Sequence, residues 1–228
     1  FDCGDTINSN ILYPSTIISL GKCSLLDSYS VEKYDEYIWE KCCSTKQFNY
    51  FANSEKKIQL YNDFTNILKN MYFGNNSCEI ITVDDNNSYI TYGKIRYTDY
   101  CSETEEALDV IEASLFDHPL CFFNSATILV YDEYLYFLTD ETCDEKSEID
   151  SIREKIEDAI KKISIYTENV STDIDRALVI HDYILDNFDY AYMTDGLTPR
   201  DDLKYRNVSG LISDDQRFVC EGFAKTYM

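Results

Sequence analysis

The chain has 228 residues, of which 44% are hydrophobic, and its 42 acidic and 20 basic side chains give a formal net charge of -22. This length holds one large or two modest domains with a hydrophobic core. The acidic field repels phosphate backbones and anionic lipid, so it disfavours nucleic-acid binding and a role at a membrane surface, and no apolar run has transmembrane length.

Nine cysteines are more than a reduced cytosolic protein of this size usually carries. Because the count is odd, eight of them can form four disulfides and leave one thiol. Phe1 is not an initiator methionine, and sequons at Asn75, Asn86, Asn169 and Asn207 are compatible with glycosylation. These features predict an acidic, secreted, extracellular glycoprotein whose leader has been removed. The cysteines are Cys3, Cys23, Cys42, Cys43, Cys78, Cys101, Cys121, Cys143 and Cys220.

In chain order, residues 1–22 predict an extended, disulfide-tied lead-in, and residues 31–43 permit a helix. Residues 54–73 predict a helix more firmly, since their apolar side chains share one face and Gly74 and Asn75 close it. Such a stripe is far more often core than a groove for a cofactor or partner. Its members are Ile58, Tyr61, Phe64, Ile67, Leu68, Met71 and Tyr72.

Two strand-like runs, 78–83 and 88–97, flank the turn residues 84–87 and predict a β-hairpin. Ser102 and Glu105 form a capping box for a helix that continues to Pro119. His118 lies at the end of this helix. It is either a ligand or base, or a histidine favoured by the negative end of the helix dipole, and we favour the second interpretation.

Residues 126–131 and 134–138 predict a second hairpin, turned at Asp132 and Glu133. Isoleucines from Ile149 to Ile163 then mark one face of a long amphipathic helix, whose charged residues form a solvated face. Thr172 and Asp175 cap the following helix. The apolar face predicted for that helix contains Ile174, Leu178, His181, Ile184, Leu185 and Phe188.

His181 therefore falls among the core positions of its helix. As a functional residue it would be the base for a nucleophilic cysteine. As a structural residue it would be a hydrogen-bonded core histidine, and we favour this interpretation because buried polar groups are normally satisfied structural elements. With only two histidines and no Cys-x-x-Cys pair, the sequence argues against a structural zinc site.

The end of the chain carries the candidate nucleophile. Residues 190–206 predict a polar loop, residues 207–213 a short segment interrupted by Gly210, and residues 213–216 a turn. From Cys220 on, apolar residues recur at helical spacing, so Cys220 lies where the loop becomes a helix. The N–H groups at a helix start favour an anion such as a thiolate, which makes the sulfur nucleophilic. For a lone cysteine, a small buried thiol is the more common interpretation.

Two motifs favour the nucleophile. Residues 180–190 begin Ile-His-Asp-Tyr, and residues 219–225 read Val-Cys-Glu-Gly-Phe-Ala-Lys. In this order, and with a Gly-containing segment between them, they resemble the transglutaminase-like superfamily of cysteine enzymes over roughly residues 171–228. A looser similarity, Asp117-His118-Pro119 followed by two phenylalanines, is to the segment that often leads into this domain.

This resemblance implies acyl transfer through a thioester on a protein amide or peptide bond, with Cys220 as the catalytic residue and its N–H as one oxyanion donor. It implies no metal or organic cofactor. Family members draw a catalytic His and then an Asp from strands after the cysteine helix. The resemblance therefore implies that the chain is the front part of a longer protein. It leaves open whether water or a lysine amine receives the acyl group, which separates a protease or amidase from a crosslinker.

The partners predicted are a protein or peptide substrate and the remainder of the same polypeptide, with no nucleic acid and no membrane insertion. The alternative function is a non-catalytic binding or structural protein that lacks the His and Asp. The fold class expected is α+β. Residues 1–144 would form a disulfide-rich helix and hairpin region, and residues 145–228 the helical first part of a transglutaminase-like, papain-like core.

Overall fold

A computed structural model describes Trp39 and residues 54–75, 78–84, 87–139, 146–168 and 170–228. Helices and strands are both present, which confirms the mixed α+β class. The chain divides into two units, Phe1–Ile149 and Asp150–Met228. The predicted lead-in at 1–22 and the helix permitted at 31–43 lie outside the described residues, apart from Trp39, which is helical.

The first unit contains two helices and a four-stranded antiparallel sheet. Helix α1 spans Glu55–Tyr72 and helix α2 spans Thr104–Asp117. The strands are β1 (Glu79–Asp84), β2 (Asn87–Arg96), β3 (Asn124–Tyr131) and β4 (Tyr134–Thr139), in the sheet order β1-β2-β4-β3. A 3-10 turn, Tyr97–Asp99, leads from β2 towards α2. Both predicted hairpins and both predicted helices are confirmed.

The apolar stripe of α1 is core, as predicted. Phe64 of α1 packs on Phe137 of β4, with ring centroids 4.4 Å apart. Polar contacts tie α1 to α2, since the Tyr61 hydroxyl donates to the buried Asp117 carboxylate at 2.7 Å. The hydroxyls of Thr65 and Ser114 lie 3.1 Å apart. These hydrogen bonds let polar groups stay inside an otherwise aromatic core.

His118 is the C-cap of α2, and our interpretation of it as a dipole-favoured cation is wrong. The side chain is buried, stacks on Trp39 with ring centroids 5.6 Å apart, and its Nδ1 lies 2.5 Å from the Ser114 carbonyl oxygen. Burial lowers the pKa of His118, against the smaller raising effects of Ser114 and Asp117. The neutral imidazole is favoured, because burial destabilises the charged form more than the groups at the helix end stabilise it.

The predicted capping box also needs correction. The Ser102 hydroxyl donates to a carboxylate oxygen of Glu106 at 3.4 Å, whereas the prediction paired it with Glu105. Helix α2 begins at Thr104, and its N-cap is Glu103. Glu106 also forms an ion pair with Lys57 of α1 at 3.1 Å. Glu106 therefore contacts Ser102 near the N-terminus of α2 and also pairs with Lys57 of α1.

Helix α3 spans Lys146–Ile165, and the division between the two units falls within it. Ile149 and Ile156 of its predicted apolar face are buried. The prediction of a solvated charged face fails at Glu157, which is only 4% exposed and lies 3.9 Å from Arg153 on the same helix. Within the described residues, no helix is both long and apolar enough to cross a membrane.

The second unit continues with helix α4, Asp173–Asn187, whose N-cap Thr172 accepts a hydrogen bond from the Asp175 N–H at 3.1 Å, as predicted. After it come β5 (Asp189–Tyr190), the short helix α5 (Leu203–Arg206) and a 3-10 helix, Val208–Ile212. Strand β6 (Arg217–Phe218) and helix α6 (Cys220–Tyr227) end the unit.

Only part of the predicted face of α4 is buried. Ile184 and Phe188 are buried and pack on Phe218, whereas Ile174, Leu178 and Leu185 are exposed. The prediction of a core position for His181 is wrong, because this side chain is 54% exposed. Its Nδ1 lies 3.1 Å from a carboxylate oxygen of Asp182, next to it in the chain.

Candidate functional site

Two short parallel strands bring the end of α4 next to the start of the cysteine helix. Asp189 of β5 pairs with Arg217 of β6, and Tyr190 pairs with Phe218. The Ala191 N–H donates to the Phe218 carbonyl at 2.8 Å. The motif at residues 219–225 therefore begins directly after β6, and β6 pairs with β5 at the end of the motif at residues 180–190.

Cys220 occupies the first position of α6, and its side chain is exposed. The preceding residue, Val219, is extended, with φ -95 and ψ 176, and no side chain caps the helix start. The first N–H groups of a helix have no partner within it, and Cys220 belongs to this first turn. The predicted position of Cys220 at a helix start is confirmed, and its catalytic role stays a prediction.

No disulfide joins any two of the four described cysteines, Cys78, Cys101, Cys121 and Cys220. The first three are buried and Cys220 is exposed. The prediction of four disulfides is wrong, because it needs eight paired cysteines and Cys78, Cys101 and Cys121 form none. The other five cysteines lie outside the described residues. Cys220 is a thiol in the structure, as its proposed chemistry requires.

The carbonyl of Tyr205 fixes the start of α6. It accepts a hydrogen bond from the Val219 N–H at 2.9 Å. A Cβ added to Gly222 would lie 2.2 Å from the same carbonyl oxygen. Glycine at this position therefore lets the helix approach the backbone of α5 more closely than any other residue would.

An ion-pair network around Glu221 holds the same two helices together. Glu221 lies 3.0 Å from Arg206 of α5 and 2.7 Å from Lys225 one turn along α6. Burial acts to raise the pKa of Glu221, but Lys225 and Arg206 outweigh it and hold this pKa below its usual range. The carboxylate next to Cys220 is thus engaged in structural pairs.

Phe218, two residues before Cys220, belongs to the buried core of the second unit. It is fully buried among Ile184, Phe188 and the partly buried Phe223. A Cβ added to Gly210 would lie 2.2 Å from the Phe218 ring, so the 3-10 helix reaches the ring only because residue 210 has no side chain. The glycine noted in the sequence is therefore a packing requirement of the cysteine segment.

Tyr190 is the side chain that sequence reasoning missed. Burial has the largest effect on the pKa of its phenol and raises it, while the sulfur of Cys220 also raises this pKa and the Cys220 N–H lowers it. Its ring lies 4.6 Å from the Tyr192 ring and 6.3 Å from the Phe223 ring, measured between centroids. The signal was available, because residue 190 ends the first motif, but nothing local in the sequence shows that β5 pairs with β6.

The loop after Tyr190 is held in one conformation by its own hydrogen bonds. The Met193 N–H donates to the Thr198 carbonyl oxygen at 2.7 Å. The Asp195 carboxylate accepts hydrogen bonds from the N–H groups of Leu197 and Thr198, each at 2.9 Å. Together with the Thr198 hydroxyl these donors lower the pKa of Asp195 to about 2. Tyr192, Met193 and Leu197 nevertheless stay exposed, so an ordered loop presents apolar side chains to solvent.

The second unit, which contains Cys220, also contains His181. In the part of the chain that the structure describes, His181 makes no hydrogen bond or ion pair with Cys220, and its recorded partner is Asp182. Nor do three or more His, Cys, Asp or Glu side chains of the described residues lie where they would hold a metal ion.

A second candidate lies in the first unit, where a cavity of about 610 Å³ separates the starts of α1 and α2. Its lining includes Lys56 and Lys57, which would suit a small anion. Both lysines already have partners, because Lys57 pairs with Glu106 at 3.1 Å and Lys56 donates to the Asp99 carbonyl at 3.1 Å. This cavity therefore supports no specific function.

No protein-family model, curated protein or solved structure matches the chain.

Proposed function

We propose that this chain belongs to a secreted cysteine enzyme of the transglutaminase-like type, with Cys220 as the nucleophile. The observation that carries the proposal is the setting of Cys220, an exposed thiol at the first position of a helix that follows a paired strand. This is the arrangement in which a thiolate gains from the helix N-terminus while remaining open to a substrate.

The reaction proposed is acyl transfer from a protein amide or peptide bond. The Cys220 thiolate attacks the carbonyl carbon, an S–C bond forms, and the carbonyl electron pair moves to oxygen, where the Cys220 N–H donates to the oxyanion. When this intermediate collapses, the C–N bond breaks and ammonia or an amine leaves after taking up a proton. Water or a lysine amine then attacks the thioester and regenerates the thiol, giving hydrolysis or a crosslink.

The base that takes the thiol proton is assigned to the family's histidine, oriented by an aspartate. We do not assign this role to His181, since its side chain is exposed to solvent and its recorded partner is Asp182. The proposed substrate is a protein or peptide that contacts the ordered loop 191–200.

Extracellular location and glycosylation are proposed on composition and sequons. The exposure of the asparagines bears on which sequon could accept a glycan. Asn75 is exposed. Asn207 is buried, and its carboxamide oxygen accepts hydrogen bonds from the N–H and the hydroxyl of Ser209. In the folded chain the sequon at Asn207 is therefore inaccessible, and Asn75 is the better candidate acceptor.

The alternative function is a non-catalytic binding or structural protein with a transglutaminase-like core. One observation favours it, namely that His181, the histidine of the second unit, is exposed and pairs with Asp182. A thiolate without its base loses several orders of magnitude in rate. In this case the exposed apolar side chains of the loop 191–200 would serve binding alone.

Alkylation of the native full chain separates the two functions. Each cysteine is quantified by mass spectrometry after short exposure to iodoacetamide at pH 7, with glutathione as an unactivated reference thiol. An activated Cys220 reacts at least tenfold faster than glutathione, and buried Cys101 hardly reacts, since the thiolate is the reacting species. A Cys220 rate equal to that of glutathione favours the binding protein.

A second measurement tests the acyl transfer itself. The longer protein that supplies the proposed histidine and aspartate is incubated with a glutamine-containing protein and a fluorescent primary amine. Incorporation of the amine, or release of ammonia, that disappears in Cys220→Ala and persists in Cys101→Ala supports the enzyme. If the two variants behave alike, Cys220 is not the nucleophile.

A further inference from the structure

The backbone places Tyr190 beside the cysteine helix. Tyr190 pairs with Phe218 in the parallel β5–β6 ladder, and the next residue, Ala191, donates its N–H to the Phe218 carbonyl at 2.8 Å. Phe218 lies two positions before Cys220. Because a residue in a paired strand has a fixed direction, the side chain of Tyr190 is set relative to the first turn of α6.

Packing of the ring then places the phenol beside α6. The Tyr190 ring is stacked with that of Phe223, at 6.3 Å between centroids and 23° between planes. Phe223 is three residues after Cys220, and residues three apart share one face of a helix. Tyr190 also packs against the buried cluster of Ala191, Tyr205 and Val219. The phenol therefore lies along the face of α6 that carries the Cys220 sulfur.

The chemistry of the phenol suits a hydrogen-bond donor. Burial raises the pKa of Tyr190, and the nearby sulfur adds to this rise, while the Cys220 N–H acts in the opposite direction. The hydroxyl thus keeps its proton at neutral pH. A protonated phenol next to sulfur donates to a thiolate, and such a charge-assisted hydrogen bond is stronger than a neutral one.

We propose that Tyr190 is a positioning residue, whose hydroxyl donates to the Cys220 thiolate and holds the sulfur at the start of α6. This inference rests on the proposed function, since it assumes that Cys220 acts as a nucleophile. The phenol forms no bond to the substrate and exchanges no proton in the reaction. It occupies one side of the sulfur, so an acyl group approaches from the exposed side.

The test compares Tyr190→Phe with Tyr192→Phe in the full chain. Both variants lose only a hydroxyl, and the two rings pack against each other, with centroids 4.6 Å apart. The rate of Cys220 alkylation by iodoacetamide is measured from pH 5 to pH 10, and circular dichroism and urea midpoints check the fold. Loss of one donor to a charged group corresponds to about a tenfold change or more in the population of the thiolate.

The expected result is a Tyr190→Phe rate about tenfold lower at pH 7 and equal to wild type at the high-pH plateau, with Tyr192→Phe within about twofold throughout. An unchanged profile in Tyr190→Phe, or an equal effect of both variants, overturns the proposal. If Tyr190→Phe does not fold, 3-fluorotyrosine placed at position 190 keeps the ring and makes the phenol a stronger donor. The rate at pH 7 should then rise, and a fall or no change overturns the proposal.

The amine-incorporation assay distinguishes this inference from the proposed function. A changed alkylation profile without amine incorporation in wild type rejects the enzyme and keeps the contact between Tyr190 and Cys220. Amine incorporation in wild type with an unchanged Tyr190→Phe profile rejects the positioning role and keeps the enzyme.

Discussion

Replacing Gly222 by alanine tests whether the cysteine helix lies as close to α5 as the structure indicates. In an exposed helix this change stabilises by about 1 kcal/mol, because alanine has the higher helix propensity. Here the new Cβ would lie 2.2 Å from the Tyr205 carbonyl oxygen and 2.7 Å from the Phe218 ring. Backbone atoms of two helices face each other at this point, so α6 itself must move.

The movement needed is large enough to reverse the sign of the effect. A distance of 2.2 Å must grow to an ordinary contact of at least 3.4 Å, and the Tyr205 carbonyl also accepts from the Val219 N–H. Overpacking typically costs about 1–3 kcal/mol, and a stretched hydrogen bond about 1 kcal/mol. After the gain in helix propensity, we expect Gly222→Ala to lower the free energy of unfolding by about 1–3 kcal/mol.

The assay is urea unfolding followed by circular dichroism, combined with the alkylation rate of Cys220 in the native protein. Gly196→Ala is the control, because Gly196 has a φ of +69 and no atom within 4 Å of an added Cβ. It loses about 1 kcal/mol through backbone strain, and we expect it to leave Cys220 alkylation unchanged. A Gly222→Ala protein that is as stable as wild type and alkylates normally would falsify the close approach of α6 to Tyr205.

Two further predictions concern pH. Burial lowers the pKa of His118 below its ordinary 6.5, so the unfolded chain binds more protons below that pH, and stability is expected to fall as the pH drops from 7.5 to 5. His118→Gln should flatten this slope in urea titrations, and an unchanged slope contradicts a neutral buried imidazole. The lowered pKa of Glu221 gives stability that is present above about 4.5 and is lost as the pH falls further. Glu221→Gln, compared with wild type at pH 7 and pH 3, should cost about 1 kcal/mol only at pH 7, and an equal cost at both pH values rules out the ion pairs as its cause.

The elements that sequence reasoning predicted correctly are those with a strong local pattern. The long apolar stripe of α1 and the two hairpins with polar turns were placed to within about two residues, since their periods of 3.6 and 2 depend only on neighbouring residues. The start of α6 at Cys220 belongs to the same class. Its helical spacing and the turn before it, where the Gln216 N–H donates to Ser213 at 3.1 Å, are both local.

The buried face of α4 could not be predicted from the local sequence pattern. Its sequence has apolar residues on two adjacent stripes, and periodicity alone does not tell which stripe meets the core. The choice is made by Phe218, which lies far along the chain and packs on Ile184 and Phe188. His181 lies on the other stripe and is exposed for that reason.

His118 and Tyr190 were misjudged or missed because their surroundings come from distant residues. The charge state of His118 follows from its burial against Trp39, which a rule about helix ends does not include. The contact of Tyr190 with Cys220 follows from a strand pair only two residues long. Such a strand is too short to show a period of two in the sequence.

Two contacts near α6 join residues that lie close together along the chain. The ion pair between Arg206 and Glu221 spans 15 positions, and the hydrogen bond between Tyr205 and Asp215, at 2.5 Å, spans 10. Loops of this length cost little entropy to close, and low contact order is associated with rapid folding. These two contacts therefore stabilise the region around the candidate nucleophile at little cost in chain entropy.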